Sequence, residues 1–186
     1  MEMAKNTDYF FSIEERRTME ILFIALSPGA VTIGKMQKLF CVSKNTILSD
    51  VRKLKEILGK EQMTLISTIQ TGYYITGEEF TIRKLISRQL QALENLHPLT
   101  VIKRQLQKSL EELSGQGYDY KEIARCLVSQ YVRDVDIRRV TKDAEYECMM
   151  ICVSWIRSMK GYVFSVNEDE KETLRNTGAF RSLKTS

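Results

Sequence analysis

Between Ser43 and Gly59 four apolar residues, Ile47, Val51, Leu54 and Leu58, recur at i, i+4, i+7 and i+11. At about 100° per residue they form a single stripe of an α-helix. Asn45, Ser49, Arg52 and Glu56 then fall on the opposite face, flanked by Lys53, and Asp50 falls to the side nearer the stripe. Ser43 is a good N-cap and Gly59 reads as a stop, so the spacing predicts a helix over Lys44 to Leu58. A chain with this segment has to cover a narrow apolar stripe and leave amide, hydroxyl and guanidinium groups facing outward.

The preceding residues supply the cover. In SIEERRTMEILFIALS, residues 12–27, Ser12 and Glu15 stand at capping-box spacing. Ile13, Met19, Leu22, Phe23 and Leu26 follow at helical period, and Ser27-Pro28-Gly29 ends the run. Thr32 caps a short second helix reaching Phe40, with Ile33, Met36, Leu39 and Phe40 as its apolar residues. Only Cys41-Val42-Ser43 separates it from the third helix, a turn as short as a helix-turn-helix requires. Met63 to Ile69 and Tyr73 to Thr76 are rich in β-branched and aromatic residues, and Gln70-Thr71-Gly72 between them reads as a hairpin tip. Three helices followed by a hairpin is the order of a winged helix-turn-helix.

From Glu78 the pattern is helical. Helices are predicted over 78–94, 99–113, 120–134 and 142–159, with breaks at 95–98, 115–117 and 135–141. These lengths and short connections suggest an α-helical bundle. The fold class is therefore mainly α: an N-terminal winged helix-turn-helix over residues 12–77, an α-helical regulatory or dimerisation domain over 78–165, and a polar tail over 166–186.

Several function classes fall away. The 186 residues are 43% hydrophobic and 28% charged, a globular balance. The longest apolar run, Ile21 to Leu26, is six residues. That is far below the roughly 18 to 20 of a membrane span, and no basic segment followed by an apolar run opens the chain. The expected setting is cytoplasmic, with no membrane. The single histidine, His97, has no evident catalytic neighbour, and no phosphate loop, dinucleotide fingerprint or HExxH motif occurs. Glu111-Glu112 and Glu168-Asp169-Glu170 lie in solvated runs. The reading is of a protein that is no enzyme and has no catalytic residue, no cofactor and no metal. The four cysteines, Cys41, Cys126, Cys148 and Cys152, include no CxxC pair and read as buried thiols of a reducing compartment.

The net charge of +4 is spread along the chain, so a nucleic-acid reading rests on local placement. Ser43, Lys44 and Thr46 stand at a helix N-terminus, where amides and hydroxyls favour phosphate. Asn45, Ser49 and Arg52 are the candidates for base edges, since Asn suits adenine and Arg suits guanine. Lys53 and the wing residues Thr68, Gln70 and Thr71 are the candidates for backbone contacts. The reading puts helix 44–58 in the major groove of double-stranded DNA and the wing at 68–72 on the backbone. So few basic groups favour a homodimer through the helical half, with two reading heads on a repeated site. The alternative is a protein-docking winged helix that binds no DNA, joined to a helical oligomerisation scaffold. A single-stranded RNA reader would need basic surface interleaved with stacking rings, whereas Tyr9-Phe10-Phe11 and Tyr73-Tyr74 read as packing residues.

The run TIGKMQKLFCVSKNTILSDVRKLKEIL, followed by TLISTIQTGYYITGEEFTIRKLI, resembles the winged helix of bacterial sugar-operon regulators. These are activators and antiterminator-like proteins with phosphotransferase-system regulation domains (PRD), together with the related Mga-type virulence regulators. The resemblance rests on VSKNTILSDVRKLK, on GYYITG and on Glu79, Ile82 and Arg83, and covers about residues 12–90. It implies a transcription regulator of a carbohydrate-uptake or virulence operon, with phosphotransferase-system proteins as candidate partners. It also implies that residues 78 to about 165 are a PRD-like module that dimerises and is phosphorylated on histidine. His97 is the one candidate phospho-acceptor. It stands before Pro98 in an interhelical connection rather than in a recognisable regulatory motif, which departs from the family.

Overall fold

The structure is a computed structural model and describes residues 10–68, 72–94, 96, 98–115, 117 and 143–163. Helix α1, Ile13–Leu26, opens with the expected capping box: the Glu15 N–H donates to Ser12 Oγ and the Ser12 N–H to Glu15 Oε2. Helix α2, Ile33–Phe40, is capped by Thr32, and helix α3, Lys44–Lys60, by Ser43. Strands β1, Thr64–Thr68, and β2, Gly72–Thr76, pair antiparallel with Leu65 opposite Ile75 and Thr68 opposite Gly72. Helices α4, Glu79–Ala92, α5, Pro98–Ser114, and α6, Asp143–Met159, follow. The predicted helix over 120–134, Cys126 and the tail over 166–186 lie outside the described residues.

The chain divides into two compact units, residues 1–105 and 106–186. In the first, the stripe of Ile47, Val51, Leu54 and Leu58 is buried, as are Met19 and Leu22 of α1 and Met36 and Phe40 of α2. Leu65, Tyr73 and Ile75 of the hairpin and Ile82, Leu85 and Ile86 of α4 complete this core. Helix α4 packs on α1, so the element that follows the wing shares the core of the winged helix. The second unit buries Leu106 and Leu110 of α5 and Met149, Val153 and Ile156 of α6. Helix α6 ends in a Schellman motif around Gly161, φ +80°, where the Tyr162 N–H reaches the Arg157 carbonyl and the Arg157 guanidinium lies 4.2 Å from the Tyr162 ring centre.

Four local expectations are corrected. Gly59 does not stop α3, which runs on to Lys60. The left-handed residue is Gln62, φ +58°, so that the Met63 N–H reaches the Leu58 carbonyl and the Gln62 N–H the Gly59 carbonyl. Met63, which follows this turn, is buried, as is Leu58. Gly72 is not tip but strand, because it pairs with Thr68 and lies against a third extended segment: Val31 and Tyr73 exchange both backbone hydrogen bonds, at 2.8 and 2.9 Å. Ile13 and Phe10 are exposed, at 55% and 91%, while Phe11 packs edge-on against Phe40. Cys41 is no buried thiol; it is exposed in the αα turn at φ +54°.

Candidate nucleic-acid interface

The α2–α3 turn sets the interface. Cys41 takes a left-handed conformation, which costs an L-residue roughly 1–2 kcal/mol and reverses the chain within three residues. Ser43 then caps α3: its Oγ accepts the Thr46 N–H at 3.2 Å and lies 2.9 Å from Thr46 Oγ1. These two hydroxyls hold each other and the first turn. Beyond them Asn45, Ser49 and Arg52 are exposed on the face opposite the core, as the helical period requires, and Lys44 is exposed at the start of the helix, to the side of that face. Lys55 is exposed too, whereas Lys53 Nζ pairs with Glu56 at 2.8 Å in a solvent-exposed i,i+3 bridge. The Glu56 carboxyl is held below its ordinary range by the Lys53 hydrogen bond and charge.

Lys44 and Thr68 line one groove of about 400 Å³, together with Thr32, Ile33, Gly34, Gln37, Ser67, Gly72 and Tyr73. The groove joins the start of α2, the start of α3 and the loop end of the hairpin. Thr32, Gln37 and Ser67 were not among the sequence candidates. Thr32 is readable locally as a cap, but its place beside Lys44 depends on how α2 crosses α3. Gln70, Thr71 and His97 lie outside the described residues.

The inner side of α3 carries its own charge. Asp50 is 2% exposed and accepts from Arg16 Nε at 2.7 Å and from Arg17 Nε at 3.0 Å, both on α1. Glu20 of α1 is fully buried, and its pKa is raised from 4.5 to about 8, first by burial and then by the Asp50 charge. The motif residues after the wing are also structural. Arg83 Nε pairs with Glu79 at 2.8 Å, Ile82 is buried, and Glu78 accepts the Phe80 and Thr81 N–H groups as the cap of α4.

Residues 4–89 match the family model of the Mga helix-turn-helix domain. Over that span, which runs from before α1 into α4, the chain has the three helices and hairpin of a winged helix-turn-helix and is similar to the Mga helix-turn-helix domain. No curated protein and no solved structure matches the chain. No helix among the described residues is long and apolar enough to cross a membrane.

Proposed function

We propose that this Mga-type chain is a transcription regulator that reads duplex DNA with α3 in the major groove. The observation that carries the reading is the outward face of α3, where Asn45, Ser49 and Arg52 are exposed together, with Lys44 exposed at the helix start and lining the groove with Thr68. Asn45, Ser49 and Arg52 read base edges. Lys44, Lys53 and Thr68 hold the backbone, with Ser43 and Thr46 stiffening the first turn and Gln70 and Thr71 completing the wing. The groove between Lys44 and Thr68 suits a sugar-phosphate strand, with Thr32, Gln37 and Ser67 as further polar partners.

The finer reading is a cytoplasmic bacterial regulator of a carbohydrate-uptake or virulence operon. It acts as a homodimer through a PRD-like helical half, with phosphotransferase-system proteins as partners and His97 as the phospho-acceptor. The chain's modest excess of basic groups supports the dimer, because one reading head with few phosphate contacts binds weakly.

The test is titration of the chain against random duplex DNA and against sites selected from it, from low to physiological salt, with Arg52→Ala alongside. Steep salt dependence is expected, with a loss of about 1–3 kcal/mol for the variant on selected sites and little on random DNA. Equal losses on both would remove Arg52 as a base reader. No binding even at low salt would favour the protein-docking alternative.

A further inference from the structure

The inward side of α3 holds charges that DNA reading does not use. Asp50 is clamped between Arg16 and Arg17, so two guanidinium groups of α1 hold the reading helix from behind. Glu20 follows Arg16 by four residues and Arg17 by three, on the same side of α1. It is fully buried, and neither of its carboxyl oxygens has a hydrogen-bond partner among the described residues. A buried carboxyl without a partner keeps its proton, because desolvation penalises the charged form.

The surroundings leave Glu20 few choices once it ionises. The charges that act on it are Asp50, Arg16 and Arg17. The other charged residues of α3 are solvent-exposed. On α4, Arg83 pairs with Glu79, Arg88 pairs with Glu61, and Lys84 lies over the Phe80 ring. Strand β2 carries no charged residue, only the titratable Tyr73 and Tyr74. An ionised Glu20 therefore becomes a second acceptor for the two guanidinium groups that hold Asp50.

We propose that Arg16, Arg17 and Asp50 are positioning residues for the reading helix, and that Glu20 is the proton-sensitive release of their clamp. Loss of its proton draws the guanidinium groups off Asp50 and loosens α3 on α1, so DNA affinity falls. The inference rests on the DNA-reading role proposed for α3.

The experiment measures affinity of the full chain for a selected DNA site from about pH 6.5 to about pH 9 at constant ionic strength. Wild type and Glu20→Gln are compared, with circular dichroism at each pH. The expected result is a several-fold loss for the wild type above about pH 8 while it stays folded, with Glu20→Gln keeping its neutral-pH affinity throughout. Parallel profiles, no loss in either protein, or a loss that coincides with unfolding would overturn the clamp release and leave the DNA reading standing. Absence of binding at every pH would overturn both.

Discussion

A Cβ placed on Gly72 would lie 2.5 Å from the backbone carbonyl oxygen of Val31. The contact exists because Val31 pairs with Tyr73, the next residue of β2, and brings the chain before α2 onto the hairpin. Gly72 also has φ +103°, where L side chains are strained. Gly72→Ala is expected to cost about 2 kcal/mol or more, strain and clash together. Urea denaturation of the purified variant measures it. Since Gly72 lines the groove with Lys44 and Thr68, DNA affinity should fall in the folded variant as well.

Asp50 and Glu56 both pair with cations of the same fold, yet their removal should differ widely. Asp50 is buried between two guanidinium groups, and Asp50→Ala leaves them uncompensated against a desolvated site. A loss of about 3–5 kcal/mol is expected. Glu56 and Lys53 are exposed, and an exposed pair contributes little in any sequence context. Chemical denaturation of Asp50→Ala and Glu56→Ala side by side decides it, and similar losses would contradict the burial argument.

Glu20 should write itself into the stability profile. Its folded pKa of about 8 lies above the ordinary 4.5, so between those values the folded state holds a proton that the unfolded state has lost. Stability conferred by the neutral carboxyl is complete below about pH 4.5, declines as pH rises, and is gone above about pH 8. The slope from this one group approaches about 1.4 kcal/mol per pH unit at most. Thermal melts of wild type and Glu20→Gln across that window should diverge, with the variant flatter and relatively more stable at the alkaline end.

Gln62 ends α3 in a left-handed conformation that a glycine adopts without penalty. Gln62→Gly should stabilise the chain by about 0.5–1 kcal/mol, the relief of αL strain less the added entropy of the unfolded chain. A fall in the denaturation midpoint would show that the Gln62 side chain contributes more than its backbone costs.

Local chemistry was legible in the linear chain. Ser12 with Glu15, Thr32 and Ser43 start their helices because a cap acts on an N–H two or three residues away. The outward face of α3 follows from period alone, and so do Asn45, Ser49 and Arg52 as residues it presents. The short turn after Phe40 and the hairpin after Met63 were equally local, and together they implied the winged helix-turn-helix. Tertiary structure decided everything that depends on a neighbour distant in sequence. Gly59 could have ended α3, but the helix runs on to Lys60, and the left-handed turn at Gln62 leads the chain to the buried Met63, whose N–H reaches the Leu58 carbonyl. Gly72 could have been a tip, but Val31 made it a strand residue under a close backbone contact. Thr32 and Ser67 join Lys44 in one groove only because α2, α3 and the hairpin meet there. Period alone puts Asp50 to the side nearer the stripe, but only the packing of α1 on α3 takes Asp50 and Glu20 out of water, so that one carboxylate is held by two guanidinium groups and the other carboxyl keeps its proton.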